Sequence, residues 1–235
     1  MEGSKLFKAR ASRLGDVMTE AKAKSDLIGE TARTYLLSQY IFNRWGRFKE
    51  FSNKFVEKGL AVEEDAITLY SRYAKKYFTK NEDSFENDFI TGHPDVFIMD
   101  ASRVSEVVDV KSSWDLHTFY KAKKTIDKKY YWQLQAYMEL TGASKARLVY
   151  CLIDTPQKLI DQAVRYAVND GAIMSEELIE ATRKNMTFAD IPIRNRVVEF
   201  TFNYNGDHMR QAEAKILLMR EEFTRLWEED FQRSV

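Results

Sequence analysis

TGHPDVFIMDASRVSEVVDVK, residues 91–111, is the stretch that decides the fold. Residues 87–99 and 104–111 read as two strands rich in β-branched and aromatic residues. The link Asp100-Ala101-Ser102-Arg103 between them predicts a hairpin. Gly92 and Pro94 mark a turn that delivers Asp95 to the sheet edge. On the second strand, alternate residues share a face. Asp109 and Lys111 therefore point one way, while Val108 and Val110 point into the core. A lone Asp-x-Lys is commonly a plain ion pair on an exposed face. The returning strand changes its weight, because it brings Asp95 beside Asp109. Two carboxylates that close repel each other unless a cation lies between them. Ligation by oxygen alone suits Mg²⁺ or Mn²⁺.

Register follows from the same requirement, since residues opposite each other in an antiparallel pair share a face. Direct pairing of Asp95 with Asp109 sets Phe97 opposite Val107 and Met99 opposite Ser105, with a five-residue loop over 100–104. A four-residue loop would pair Met99 with Val104 and turn Asp109 away, unless a bulge near Pro94 corrects it. Local preference admits both loops.

Outward from the hairpin, residues 25–42 read as a helix with Ser25 or Asp26 as N-cap. Residues 47–78 also read as helical, with a break near Gly59. Their stripe Glu63, Ile67, Tyr70, Ala74, Tyr77 is apolar apart from Glu63, whose carboxylate must be paired, metal-bound or at the stripe's edge. Residues 130–141 form a helix closed by Gly142; Gln133 and Tyr137 lie one turn apart on it. Residues 147–153 are a strand buried on both faces, Thr155-Pro156 opens a helix with Pro at its first position, residues 197–202 are a late strand, and residues 208–231 are a terminal helix. This order predicts an α/β (α+β) chain with a small mixed β-sheet flanked by helices. It is read as one domain over 1–235, with a core of about 50–155 and helical additions at both ends.

Composition narrows the function. The 235 residues carry zero formal net charge, which alone does not favour nucleic acid. Charge is segregated, however. Residues 81–100 hold six acids and no Lys or Arg, whereas residues 121–129 hold five lysines and one acid. Such blocks suit a protein that holds cations and a polyanion at one place, and equally suit solvated faces. The one cysteine, Cys151, lies in an apolar run and excludes an internal disulfide, a cysteine-rich zinc site and a four-cysteine iron–sulfur cluster. A reducing cytosol fits this usage. No apolar run is long enough to span a membrane, and residues 1–12 lack a signal peptide's apolar stretch. No phosphate-binding G-x-x-x-x-G-K-[ST] loop and no H-E-x-x-H occurs.

Gly92-His93-Pro94-Asp95, then Asp109-Val110-Lys111, then Gln133 and Tyr137, resemble the PD-(D/E)XK nuclease superfamily. More closely they resemble its phage lambda-type exonuclease branch, the YqaJ-like viral recombinases. That branch's Gly-xxx-Glu-xx-Ala helix motif is matched by Gly59, Glu63 and Ala66, and its N-terminal Ser-containing segment by Arg10-Ala11-Ser12. The family often has Glu where Asp109 stands, and the likeness fades after residue 155. The resemblance implies a restriction-endonuclease-like core and Mg²⁺-dependent hydrolysis (Mn²⁺ as substitute) of linear double-stranded DNA from an end, in recombination or repair. Asp95, Asp109, the Val110 carbonyl and Glu63, the last through water or a second metal, would hold the cation. Lys111 would orient and help deprotonate the attacking water, and Gln133 would position water or phosphate. Arg10 and Ser12 would receive a terminal phosphate, a task open also to Arg13 or Lys8. Lys121, Lys123, Lys124 and Tyr137 would meet the DNA, Tyr137 also bracing its helix. A single-strand annealing protein as partner, a ring trimer and the cytosol of a bacterial or phage-infected cell are further implications. A restriction-type endonuclease and a non-catalytic DNA-binding protein on the same fold stay open as alternatives.

Overall fold

A computed structural model describes residues 7–22, 26–47 and 53–233. The chain runs β1 (Ala9–Arg10), α1 (Leu14–Val17), α2 (Glu30–Trp45), α3 (Lys54–Ala61), α4 (Glu63–Ala74), β2 (Phe85–Glu86), β3 (Ile90–Gly92), β4 (Val96–Asp100), β5 (Arg103–Ser113), α5 (Leu116–Lys124), α6 (Lys128–Thr141), β6 (Lys145–Leu152), α7 (Gln157–Asn169), α8 (Glu176–Met186), β7 (Val197–Asn203) and α9 (Gly206–Arg233). The main sheet has the order β4-β5-β6-β7. Its outer pairs are antiparallel, and the central β5–β6 pair is parallel. A parallel pair needs a long crossover, and α5 and α6 supply it.

Both faces of the sheet are covered. Val107 and Leu148 belong to the core built with α6, α2 and α9, whereas Val108, Val110 and Val149 belong to the core built with α4. That is why residues 148–153 read as an apolar run. A second sheet, β1-β3-β2, is small but decisive for position. β1 lies parallel to β3, pairing Arg10 with Thr91, so the N-terminal segment arrives beside the hairpin's entry. β3 crosses α6 so closely that a Cβ on Gly92 would stand 2.9 Å from Leu140 Cδ1 and 3.0 Å from Tyr137 Cε1.

Several boundaries differ from expectation. α2 begins at Glu30 with Gly29 as N-cap, not at Asp26; Ser25, the other candidate cap, lies outside the described residues. The break expected near Gly59 falls at Val62, whose φ −119°, ψ 15° separates α3 from α4, and Gly59 stays helical. The buried stripe holds only to Ala74. Lys75 ends α4 in the left-handed region (φ 51°), so Tyr77 lies beyond it, 85% exposed. The strand expected over 87–99 is two, β3 and β4, separated by the turn that contains Pro94, which has no N–H to give a ladder. Pro156 is the N-cap of α7 and not its first residue.

The hairpin reconciles both registers. Near its tip Asp100 pairs with Arg103 and Met99 with Val104, the shorter-loop pattern. A shift between Ile98 and Met99 then leaves Ser105 unpaired, and Ile98 meets Glu106, Phe97 meets Val107 and Val96 meets Val108. The correcting bulge is thus at Ser105 rather than near Pro94. The Ser105 hydroxyl donates to Ile98 O at 2.8 Å and closes it.

Candidate active site

Past Val96–Val108 the hairpin brings Asp95 next to Asp109, as the metal argument requires. The Asp95 carboxylate accepts from Val110 N at 2.7 Å. Asp109 is 0% exposed, because β5 at this point is sandwiched between α6 and the rest of the core. Its Oδ1 accepts from Lys111 Nζ at 2.9 Å and from Gln133 Nε2 at 3.1 Å. Its Oδ2 lies 2.8 Å from the same ammonium, yet no donor is aligned with it. Gln133 also donates to Tyr137 Oη at 2.8 Å, so α6 presents a braced amide to a buried acid.

Electrostatics mark the pair. Burial and then the Asp109 charge push the Asp95 carboxyl up to about 7, against the pull of Lys111 and the Val110 N–H. For Lys111, burial alone would disfavour the ammonium; Asp109 and Asp95 outweigh it and hold its pKa above the ordinary value. The two acids beside it thus favour the charged ammonium of Lys111. A buried carboxylate oxygen without an aligned donor, beside a second acid that resists ionising, fits a divalent cation. Among the described residues, no group of three or more His, Cys, Asp or Glu is close enough to hold a metal. The third acid explains this. Glu63 lines the same cleft, but its carboxylate pairs with Lys80 Nζ at 3.0 Å.

The cleft has a volume of about 610 Å³. Gly59, Glu63 and Ala66 line one side, Asp95, Val110 and Lys111 the floor, and Gln133 and Tyr130 another side. Phe55, Val56 and Leu60 of α3 also line it and are exposed. A Cβ on Gly59 would have only Ser112 Oγ nearby, at 3.8 Å. The protein itself does not require glycine there. Ser12 lines both this cleft and an adjoining hollow of about 260 Å³ with Arg10, Thr91, His93 and Tyr137. Of the cations proposed for that hollow, Lys8 pairs with Glu86 and Arg13 with Asp16, leaving Arg10 without an ion pair among the described residues.

Other expected contacts are placed less directly. Lys121, Lys123 and Lys124 occupy the last turn of α5, whose Thr118 and Ala122 face the cleft. Lys129, part of the same basic block, instead pairs with the buried Asp16 at 2.9 Å. Tyr137 is buried, and bracing Gln133 is the contact seen for it.

Three supporting residues escaped the sequence reading. Asn81 N donates to Asp95 O (2.7 Å) and its Nδ2 to Pro94 O (2.9 Å), fixing the strand entry. Lys80 neutralises Glu63. Lys58, 1% exposed, donates to the carbonyls of Ser113 and Trp114 at the end of β5. Asn in a turn is a legible signal; a lysine inside a helix is not.

A hairpin that sets two acids and a same-face lysine under a braced glutamine defines a PD-(D/E)XK-type nuclease. A family model of the YqaJ-like viral recombinase domain matches residues 9–144, and the chain belongs to that family. A phage-related exonuclease from Haemophilus somnus 129PT is similar in structure, at 26% identity and TM-score 0.75, covering 96% of this chain and 97% of that one. An alkaline exonuclease, LHK-Exo, from Laribacter hongkongensis shares the fold at 15% identity and TM-score 0.66, covering 98% and 95%. LHK-Exo in complex with dAMP aligns at 16% identity and TM-score 0.67, covering 97% and 94%. No curated protein matches the chain. No helix among the described residues is long and apolar enough to cross a membrane.

Proposed function

We propose that this protein is a Mg²⁺-dependent exonuclease that hydrolyses the phosphodiesters of linear double-stranded DNA from an end, in recombination or repair. The observation that carries the reading is Ser12, which lines both the acid-bearing cleft and the hollow beside Arg10. A terminal phosphate seated in that hollow puts the neighbouring linkage within the cleft.

Asp95, Asp109 and the Val110 carbonyl would hold the cation, with Glu63 reaching it through water. Bound there, the cation supplies Lewis acidity and a lowered water pKa. The chain's own groups do the rest. Gln133 fixes the Asp109 carboxylate, and Tyr137 fixes Gln133. Lys111 offers a positive charge and N–H donors to the phosphate as negative charge builds on it. Arg10 offers a bidentate fork to terminal phosphate oxygens. The α5 lysines hold the backbone without reading sequence. On this reading the fold also leaves α2 with an exposed apolar stripe, Leu37, Ile41 and Trp45, that a ring trimer or an annealing partner would cover.

The test is digestion of end-labelled linear duplex with Mg²⁺ beside covalently closed circular DNA. Mononucleotides from the linear substrate and an intact circle are expected, with 5′-phosphorylated duplex degraded faster than dephosphorylated duplex. Discrete fragments or a cut circle would make it an endonuclease, and equal rates on both ends would remove Arg10 and Ser12 from end recognition.

A further inference from the structure

A second concave surface lies on the far side of Glu63 from the active-site cleft. It has a volume of about 520 Å³ and is lined by α4 residues between Glu64 and Arg72 and by the segment 75–80. Arg72, Lys75 and Lys76 are exposed there, and none makes an ion pair among the described residues. Glu64 is the acid in its lining. Glu106, whose carboxylate feels Lys76, is already bound to Arg147 at 2.6 Å. Net positive charge is therefore free at this surface. One exposed aromatic side chain stands among these cations, Tyr77, which is 85% exposed.

The surface joins the active site through backbone as well as side chains. Lys80, at its edge, pairs with Glu63 and bridges Val96, the residue after Asp95. Lys80 thus stands between this surface and the rim of the cleft. Free cations attract a phosphate backbone, and the exposed Tyr77 ring offers a face on which an unpaired base stacks. A duplex hides its base faces, so Tyr77 favours a single strand.

We propose that this surface binds single-stranded DNA, the strand left unpaired once its partner is shortened in the cleft. The proposal rests on the nuclease reading for where that strand comes from, but not for the binding itself.

Binding is read by fluorescence anisotropy with 5′-fluorescein oligo(dT)₃₀, without divalent cation so that nothing is cut, over a range of NaCl concentrations. The wild type should bind, and Arg72→Glu/Lys75→Glu/Lys76→Glu should weaken binding and flatten the salt dependence. Three lost phosphate contacts should reduce the log–log slope by about 2, at roughly 0.7 per contact for single strands. Tyr77→Ala, at a site too exposed to affect folding, should weaken binding about 5- to 100-fold. Unchanged affinity in both variants overturns the proposal, as does an equal loss on a 30-base-pair duplex, which would make the surface a duplex contact. A wild type that degrades duplex but does not bind oligo(dT)₃₀ overturns this proposal and leaves the nuclease standing. One that binds oligo(dT)₃₀ through these residues without degrading duplex has the reverse result.

Discussion

Asp109 has no solvent exposure and touches two donors chosen from different elements, Lys111 on its own strand and Gln133 on α6. Each neighbour has a separable role. Lys111→Ala removes the cation that faces developing phosphate charge but leaves the α5 lysines and Arg10. Single-turnover cleavage should fall by about 10²–10⁴-fold, the range typical of a positioned acid–base or electrostatic group. DNA affinity measured without divalent cation should change little. Near-wild-type cleavage would remove Lys111 from the chemistry. Asp95 makes a different prediction. Its carboxyl, pushed up to about 7 by burial and the Asp109 charge, holds below that pH a proton that a cation must displace. Affinity for Mn²⁺, measured by calorimetric titration, should therefore fall about tenfold for each pH unit below 7 and level off above it. Asp95→Asn should bind little Mn²⁺ at any pH. A flat profile from pH 5.5 to 8.5 would mean that this carboxyl does not share the cation.

At the scale of elements, α3 forms a cleft wall in which a glycine is retained at a helical position. Glycine in a helix interior costs roughly 0.5–1 kcal/mol relative to alanine. The nearest neighbour of a Cβ at Gly59 is at 3.8 Å, so packing does not demand the smaller residue. Gly59 lines the cleft, so a side chain there would project toward whatever enters it. Gly59→Ala should raise stability by roughly that amount, read from a urea melt. Gly59→Leu should keep the melt but cut duplex affinity and cleavage at least tenfold; undiminished cleavage would show that the cleft is not occupied at α3. The hairpin shows how far sequence reading reaches at this scale. Its strands, its turn and the shared face of Asp109 and Lys111 were legible, because period-2 alternation and turn residues are local signals. The position of the bulge was not, since Ser105 differs from its neighbours only in how β4 meets it across the ladder. Lys80 as the partner of Glu63 was equally hidden, the two being joined through the segment that carries Tyr77 out to solvent. The acids and Lys111 share a strand face and a hairpin, which spacing shows; the Lys58 and Asn81 side chains donate to backbone carbonyls, acceptors present at every residue, so their partners leave no pattern in the sequence.

Over the whole molecule, elements far apart in sequence hold the site in place. The family match ends at residue 144, yet α9 buries Met209, Ile216, Met219 and Phe223 in one core with Phe7, Ala9 and Leu14. Lys215 Nζ donates to Thr19 O and Arg220 Nε to Phe7 O, both at 2.9 Å. The C-terminal helix thus supports the segment that places Arg10 and Ser12, although it carries no motif of its own. Lys58 is the corresponding tie on the other side. It joins α3 to the end of β5, and its ammonium lies 5.4 Å from the Phe188 ring just after α8. Burial lowers its pKa to about 8 from 10.5, with Asp154 and Asp115 opposing the shift. The sign follows from proton binding. Between pH 8 and 10.5 the unfolded chain holds this proton and the folded chain does not, so the contribution is full above 10.5 and is lost as pH falls through 8. At neutral pH the buried charge costs roughly 3 kcal/mol. A neutral amine still has two N–H groups for the two carbonyls, so raising the pH removes the cost without orphaning either acceptor. Lys58→Met lacks both the charge and the donors, and serves as the reference for every other group that titrates in this range. Urea melts at pH 7.5, 9 and 10.5 should show the wild type gaining roughly 2–3 kcal/mol on Lys58→Met as pH rises. Parallel curves would mean that Lys58 keeps an ordinary pKa and that its burial is relieved by motion of α3 away from β5.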